Sequence, residues 1–190
     1  KVVMAASSAA FNIEIFAYDV MNSFCQACTT FVGQNYGAGQ LKRCRKTLFL
    51  CLIEDAVATA AAIGIVLLSG RFLLSIFNND PAVIDLGYVR LVTIFFAYIF
   101  SMLYEVMSGY LRGFGISLTP AILTTLGVCG VRIVWIAAVF PKSRTFETIM
   151  TAYPVSLSLT AVLIFIALLI AHPSRRHASK FVTQKATDNN

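Results

Sequence analysis

SAAFNIEIFAYDVMNSFCQACTTFV, residues 8–32, is apolar over a length that crosses a lipid bilayer, yet polar side chains interrupt it at helical spacing. At a rise of 1.5 Å per residue, residues 9–32 form a helix about 36 Å long, enough for a hydrocarbon core of about 30 Å with some tilt. On a wheel of 100° per residue, Ser8, Asn12, Asp19, Asn22, Ser23, Gln26 and Thr30 share an arc of about 100°, while Phe11, Ile13, Phe16, Val20, Phe24 and Phe31 lie elsewhere. Lipid-facing helices have no use for carboxylates. Interhelical hydrogen bonds also recruit polar residues, but one or two suffice for that. A whole arc in register around Asp19 points to a water-lined cavity. Glu14 falls off the arc and reads as a separate interfacial contact.

Outward from this stretch the chain repeats the theme. Hydrophobic residues make up 58% of it and charged residues 13%, and mean hydropathy is +0.77, which excludes an ordinary soluble domain. Further spans read as 47–69, 88–111, 119–140 and 148–171, so residues 1–171 form an all-α bundle of about five transmembrane helices. Gly, Pro, Asn and charge mark loops at 33–46, 70–87, 112–118 and 141–147, and residues 172–190 form a polar tail. Five spans put the termini on opposite faces. One face holds Lys42, Arg43, Arg45, Lys46, Arg112, Arg175, Arg176, Lys180 and Lys185; the other holds Lys1, Arg71, Arg90, Lys142 and Arg144. The positive-inside rule makes the first face, with the tail, cytoplasmic. The net charge of +6 therefore reads as topology and attraction to anionic lipid, with no nucleic-acid partner.

Within the spans, several side chains carry chemistry. Tyr98, Ser101, Glu105, Ser108 and Arg112 share a stripe on the third span. A charged carboxylate at the centre of a bilayer costs about 3 kcal/mol on insertion scales. Glu105 is thus expected to be neutral when desolvated and charged when a cation or water arrives, unless it pairs with Arg112 one i, i+7 step away. Glu54 and Asp55 lie about 10 Å deep and either share a vestibule with Glu105 or snorkel toward the basic loop. Ala56, Ala58, Ala60, Ala61, Ala62 and Gly64 read as a small-residue packing surface. Arg132 and Asp19 lie at matching depths, roughly 18 and 21 Å from the cytoplasmic end, which predicts a pair or shared water network; the alternative is that Arg132 snorkels past Trp135. The five cysteines are an odd count, and Cys25-x-x-Cys28 lies in an apolar helix without a second ligand pair, so packing is expected in place of metal or redox chemistry.

Two loop motifs add a family. Gly33-Gln34-Asn35-Tyr36-Gly37-Ala38-Gly39, closing a span ahead of a basic run, resembles the cytoplasmic G-Q-N-x-G-A-G turn of multidrug and toxin extrusion (MATE) transporters. Leu111-Arg112-Gly113-Phe114-Gly115, with Val131-Arg132-Ile133 further on, resembles the L-R-G-x-G segment two helices later. The resemblance implies one lobe of a two-lobe pseudo-symmetric transporter, most of the C-terminal six-helix bundle. The N-terminal lobe and the preceding helix of the same protein are then partners missing from this sequence. It implies export of small organic cations by antiport with Na+ or H+ as coupling ion, at the plasma membrane, with no further cofactor. Residues 1–8 enter the first span without a proper loop, as expected if an upstream helix precedes them.

Other classes fit less well. A lipid-linked oligosaccharide flippase of a related superfamily calls for more cationic residues along its cavity than Arg132 alone. An enzyme calls for a nucleophile with a base, or metal ligands; G-x-S-x-G and H-E-x-x-H are absent, and His172 and His177 lie at or beyond the last span. A non-transporting assembly subunit is the remaining alternative. The expected binding residues are Glu105, Asp19, Asn12, Asn22, Gln26, Tyr98, Ser101 and Arg132.

Overall fold

A computed structural model of the chain describes residues 2–142, 145–171 and 173. Among these residues the chain is helical throughout, without strands: α1 (Val2–Gly37), α2 (Leu41–Phe77), α3 (Pro81–Gly113), α4 (Leu118–Thr124), a π-helical turn (Thr125–Gly130), α5 (Val131–Ala138) and α6 (Phe146–Ala171). The expected tail, apart from residue 173, lies outside the described residues, as do Lys1 and Arg144. Helices α2, α3 and α6, and the continuous stretch Leu118–Ala138, are long and apolar enough to cross a membrane; α1 has the length, but its polar arc keeps it out of that group.

The helices outrun their apolar stretches. Where loops are expected at 33–46 and 70–87, only residues 38–40 and 78–80 leave the helix, because no strong breaker stands before Gly39 or the Asn78–Pro81 turn. Asp80 caps α3 by accepting from the Ala82 N–H at 3.0 Å, and Pro81 occupies the first turn, where its missing N–H costs nothing. The two family-like motifs are one device used twice. At the end of α1, Gln40 N donates to Asn35 O (2.8 Å) around Gly39 at φ 71°; at the end of α3, Ile116 N donates to Leu111 O (3.0 Å) around Gly115 at φ 81°. Each is a Schellman-type stop that needs a left-handed residue, hence glycine.

Helix α3 is the hub, packed on α1, α2 and α6. α1 and α3 run parallel: Ala6 O lies near Gly87 at one end and Gly113 O near Gly33 at the other. They touch through Gly109 and Gly113, a G-x-x-x-G that lets backbones meet. The small-residue surface expected on α2 packs only in part within this lobe: Ala62 lies against the core around Ala10, Val66 and Phe95 and Ala58 is half-buried, while Ala56, Ala60 and Ala61 are exposed and a Cβ built on Gly64 meets open space. Phe49, Ile53, Val57, Leu68, Phe72 and Ile76 on α2 form an outward apolar face suited to lipid.

Candidate functional site

Two cavities open between α1 and the far side of the lobe. The larger, about 410 Å³, is bordered by Glu14 and Tyr18 of α1; Arg90, Ile94, Tyr98 and Ser101 of α3; Val128 and Arg132 around the π turn; and Tyr153 and Leu157 of α6. Residues 90, 94, 98 and 101 follow at helical spacing, so one face of α3 supplies a whole wall. Arg90 clamps Glu14 with both forks, Nε to Oε1 at 2.8 Å and Nη2 to Oε2 at 3.0 Å, with side chains only 10% and 6% exposed. Arg132 donates from Nε to Ser156 Oγ at 3.0 Å and lies over the Tyr153 ring, 4.2 Å from its centroid. A π turn takes more residues than an α turn, so α5 is rotated relative to an uninterrupted helix just where Arg132 begins it.

The smaller cavity, about 330 Å³, is bordered by Tyr18, Asn22, Glu105, Ser108 and Arg112, by Pro120, Ala121 and Thr124 of α4, and by Thr125 at the start of the π turn. Glu105 Oε1 accepts from the Tyr18 hydroxyl at 3.1 Å, and Oε2 lies 3.7 Å from Arg112 Nη2. The same Nη2 donates to Cys25 Sγ at 2.9 Å, and the thiol donates to Glu105 O at 3.0 Å. The L-R-G turn is thereby tied to the acid one helical stretch above it, and Tyr18 borders both cavities.

These contacts settle where the expected residues stand. Tyr98, Ser101 and Arg132 meet at the larger cavity, and Glu105 and Asn22 at the smaller. Asn12, Asp19 and Gln26 are exposed on the face of α1 opposite buried Glu14, Cys25 and Cys28. The Asp19–Arg132 pair does not form: Arg132 sits on Ser156 and Tyr153, while Asp19 has no partner among the described residues. Helix rotation turns Glu14 inward and Asp19 outward, and the inward acid is taken by Arg90, so no carboxylate among the described residues meets Arg132. Glu14 is therefore a buried ion-pair member, where the sequence suggested an interfacial contact. Its partner Arg90, counted with the outer basic residues, is equally buried. Two opposite charges inside helices, each needing an answer, were the available signal for the pair. Asp55 is wholly buried and Glu54 exposed, and neither borders the Glu105 cavity.

Exposure of the α1 arc has a direct check. With the exposed Cys129 replaced by Ser, cysteines at Asn12, Asp19 and Gln26 in the intact protein are expected to react with a hydrophilic thiol reagent, and one at lipid-facing Leu68 to stay inert. Inertness at all three arc positions removes the aqueous face.

The MatE family model matches residues 1–137. The crystal structure of the eukaryotic MATE transporter AtDTX14 superposes with a TM-score of 0.76 at 20% identity, over 95% of this chain and 41% of that one. The chain thus spans less than half the length of that transporter. No curated protein matches in sequence. A family model covering most of the chain, on a bundle with the fold of a MATE lobe, makes this chain a member of the MATE transporter family.

Proposed function

We propose that the protein is a secondary active multidrug exporter that moves amphipathic organic cations out of the cell by antiport with Na+ or H+. It lies in the plasma membrane with the Gly39 and Gly115 turns, the basic run at Lys42–Lys46 and the tail on the cytoplasmic side. Its partners are the bilayer, small organic cations, and a second lobe and further helix of the same protein.

The observation that carries this reading is the setting of Glu105. Where Glu14 is saturated by a bidentate clamp, Glu105 opens on a cavity with only a neutral hydroxyl and a 3.7 Å ionic contact. A cation entering the cavity competes with Arg112 and Tyr18 for the carboxylate. Ion and drug then stabilise different lobe arrangements through their different affinities for each. Replacing Glu105→Gln in the intact protein, reconstituted in liposomes, is expected to lower drug-evoked ion counterflow by about tenfold, a common strength of coupling between sites. Counterflow at the wild-type rate would remove Glu105 from the mechanism.

A further inference from the structure

Two arginines border the larger cavity, and only one is answered. Arg90 and Glu14 close on each other as a neutral unit. Arg132 uses its Nε on Ser156 and its ring-facing surface on Tyr153, and no carboxylate among the described residues pairs with it. Arg132 and Tyr98 both border the cavity, and neither the remaining Arg132 N–H donors nor the Tyr98 hydroxyl has a hydrogen-bond partner among the described residues. Phe11, Ile94 and Leu157 complete apolar walls.

We propose that this cavity binds the anionic group of an amphipathic ligand, an aromatic carboxylate or sulfonate, with Arg132 as the charged anchor and Tyr98 as a second donor. A guanidinium offers a planar fork matched to a carboxylate and is weakly hydrated, so it gives up water readily. The seat of Arg132 over the Tyr153 ring holds its guanidinium in place before the ligand arrives, and the low-dielectric walls strengthen the attraction. A purely cationic ligand finds Glu14 already taken and meets a like charge. A molecule drawn by the Glu105 cavity enters this one only if it also carries an anionic group. As a statement about cargo this rests on the transporter reading; as a statement about binding it stands apart.

The test uses the intact purified protein and a matched pair of probes, 2-naphthoate and 2-naphthylmethylammonium, titrated by calorimetry. In a Glu105→Gln background, which removes the carboxylate offered to cations in the other cavity, naphthoate is expected to bind at least about tenfold more tightly, the worth of one charge-assisted contact. Arg132→Gln removes that preference, Arg132→Lys keeps part of it, and Tyr98→Phe weakens naphthoate by a few-fold. If Arg132→Gln does not fold, the Lys and Tyr98→Phe variants decide. Equal or tighter binding of the ammonium, or unchanged naphthoate affinity in the variants, overturns the site. Naphthoate bound but never moved into proteoliposomes leaves the site standing and overturns it as a cargo site; ammonium transport without naphthoate binding overturns the site and leaves the exporter reading standing.

Discussion

Glu14→Ala is expected to destabilise the lobe by about 3–5 kcal/mol, the range for removing one member of a buried ion pair. The loss is large because of what remains. Arg90 keeps its charge, only 10% exposed and stripped of two hydrogen bonds of 2.8 and 3.0 Å. Arg90→Met is expected to cost a similar amount by orphaning the carboxylate. The double variant Glu14→Leu/Arg90→Met should recover most of the loss, since well-packed apolar replacements of a buried pair are often neutral. Chemical denaturation of the detergent-solubilised intact protein closes this cycle. Single variants that each cost less than about 1 kcal/mol, the level of an exposed pair, would show that water reaches the clamp.

Substitution at Gly109 should force the α1–α3 seam apart. A Cβ there stands 2.6 Å from Cys25 O and 3.0 Å from Cys25 Sγ, and the same operation at Gly113 meets Val32 Cβ at 2.7 Å. A backbone carbonyl cannot swing aside as a side chain does, so the two helices must separate. Gly109→Ala is expected to cost about 1–3 kcal/mol as an overpacked core does, and Gly109→Leu to prevent folding. Thr29, whose hydroxyl lies 2.9 Å from Cys25 O and 3.1 Å from Gly109 O, loses its place at the same time. Gly64→Ala is the control: with open space around it, the change should be neutral or stabilise by up to about 1 kcal/mol. Denaturation of both variants, with labelling of normally buried Cys25 by a small thiol reagent, reads the effect. If Gly109→Ala is as stable as Gly64→Ala and leaves Cys25 protected, the close seam is wrong.

The α1–α3 seam is present in the sequence as the spacing of Gly109 and Gly113, but the alanines of α2 have a composition that looks more like packing surface. A G-x-x-x-G that overlaps a turn motif is easily read as turn chemistry alone, and Gly113 serves both. Tyr18 is hidden in the sequence for a related reason. It sits at the edge of the polar arc, neither within it nor on the packed face, and only its contact with Glu105 shows its place between two cavities.

Composition, span length and the two glycine stops depend on local chemistry: transfer of apolar side chains into lipid, and the left-handed backbone that Gly39 and Gly115 supply. Those the chain determines residue by residue, and with them the all-α membrane bundle, its approximate spans and the polar arc of α1. Which buried charge meets which depends on the rotation of each helix about its axis, and that is set by the summed packing of distant residues. A turn of about 100°, one residue's worth, is enough to carry a side chain off the packed face. Only the assembled lobe therefore decided that Glu14 and Arg90 close on each other, that Asp19 faces out, and that Arg132 lies on Tyr153 with its charge unanswered.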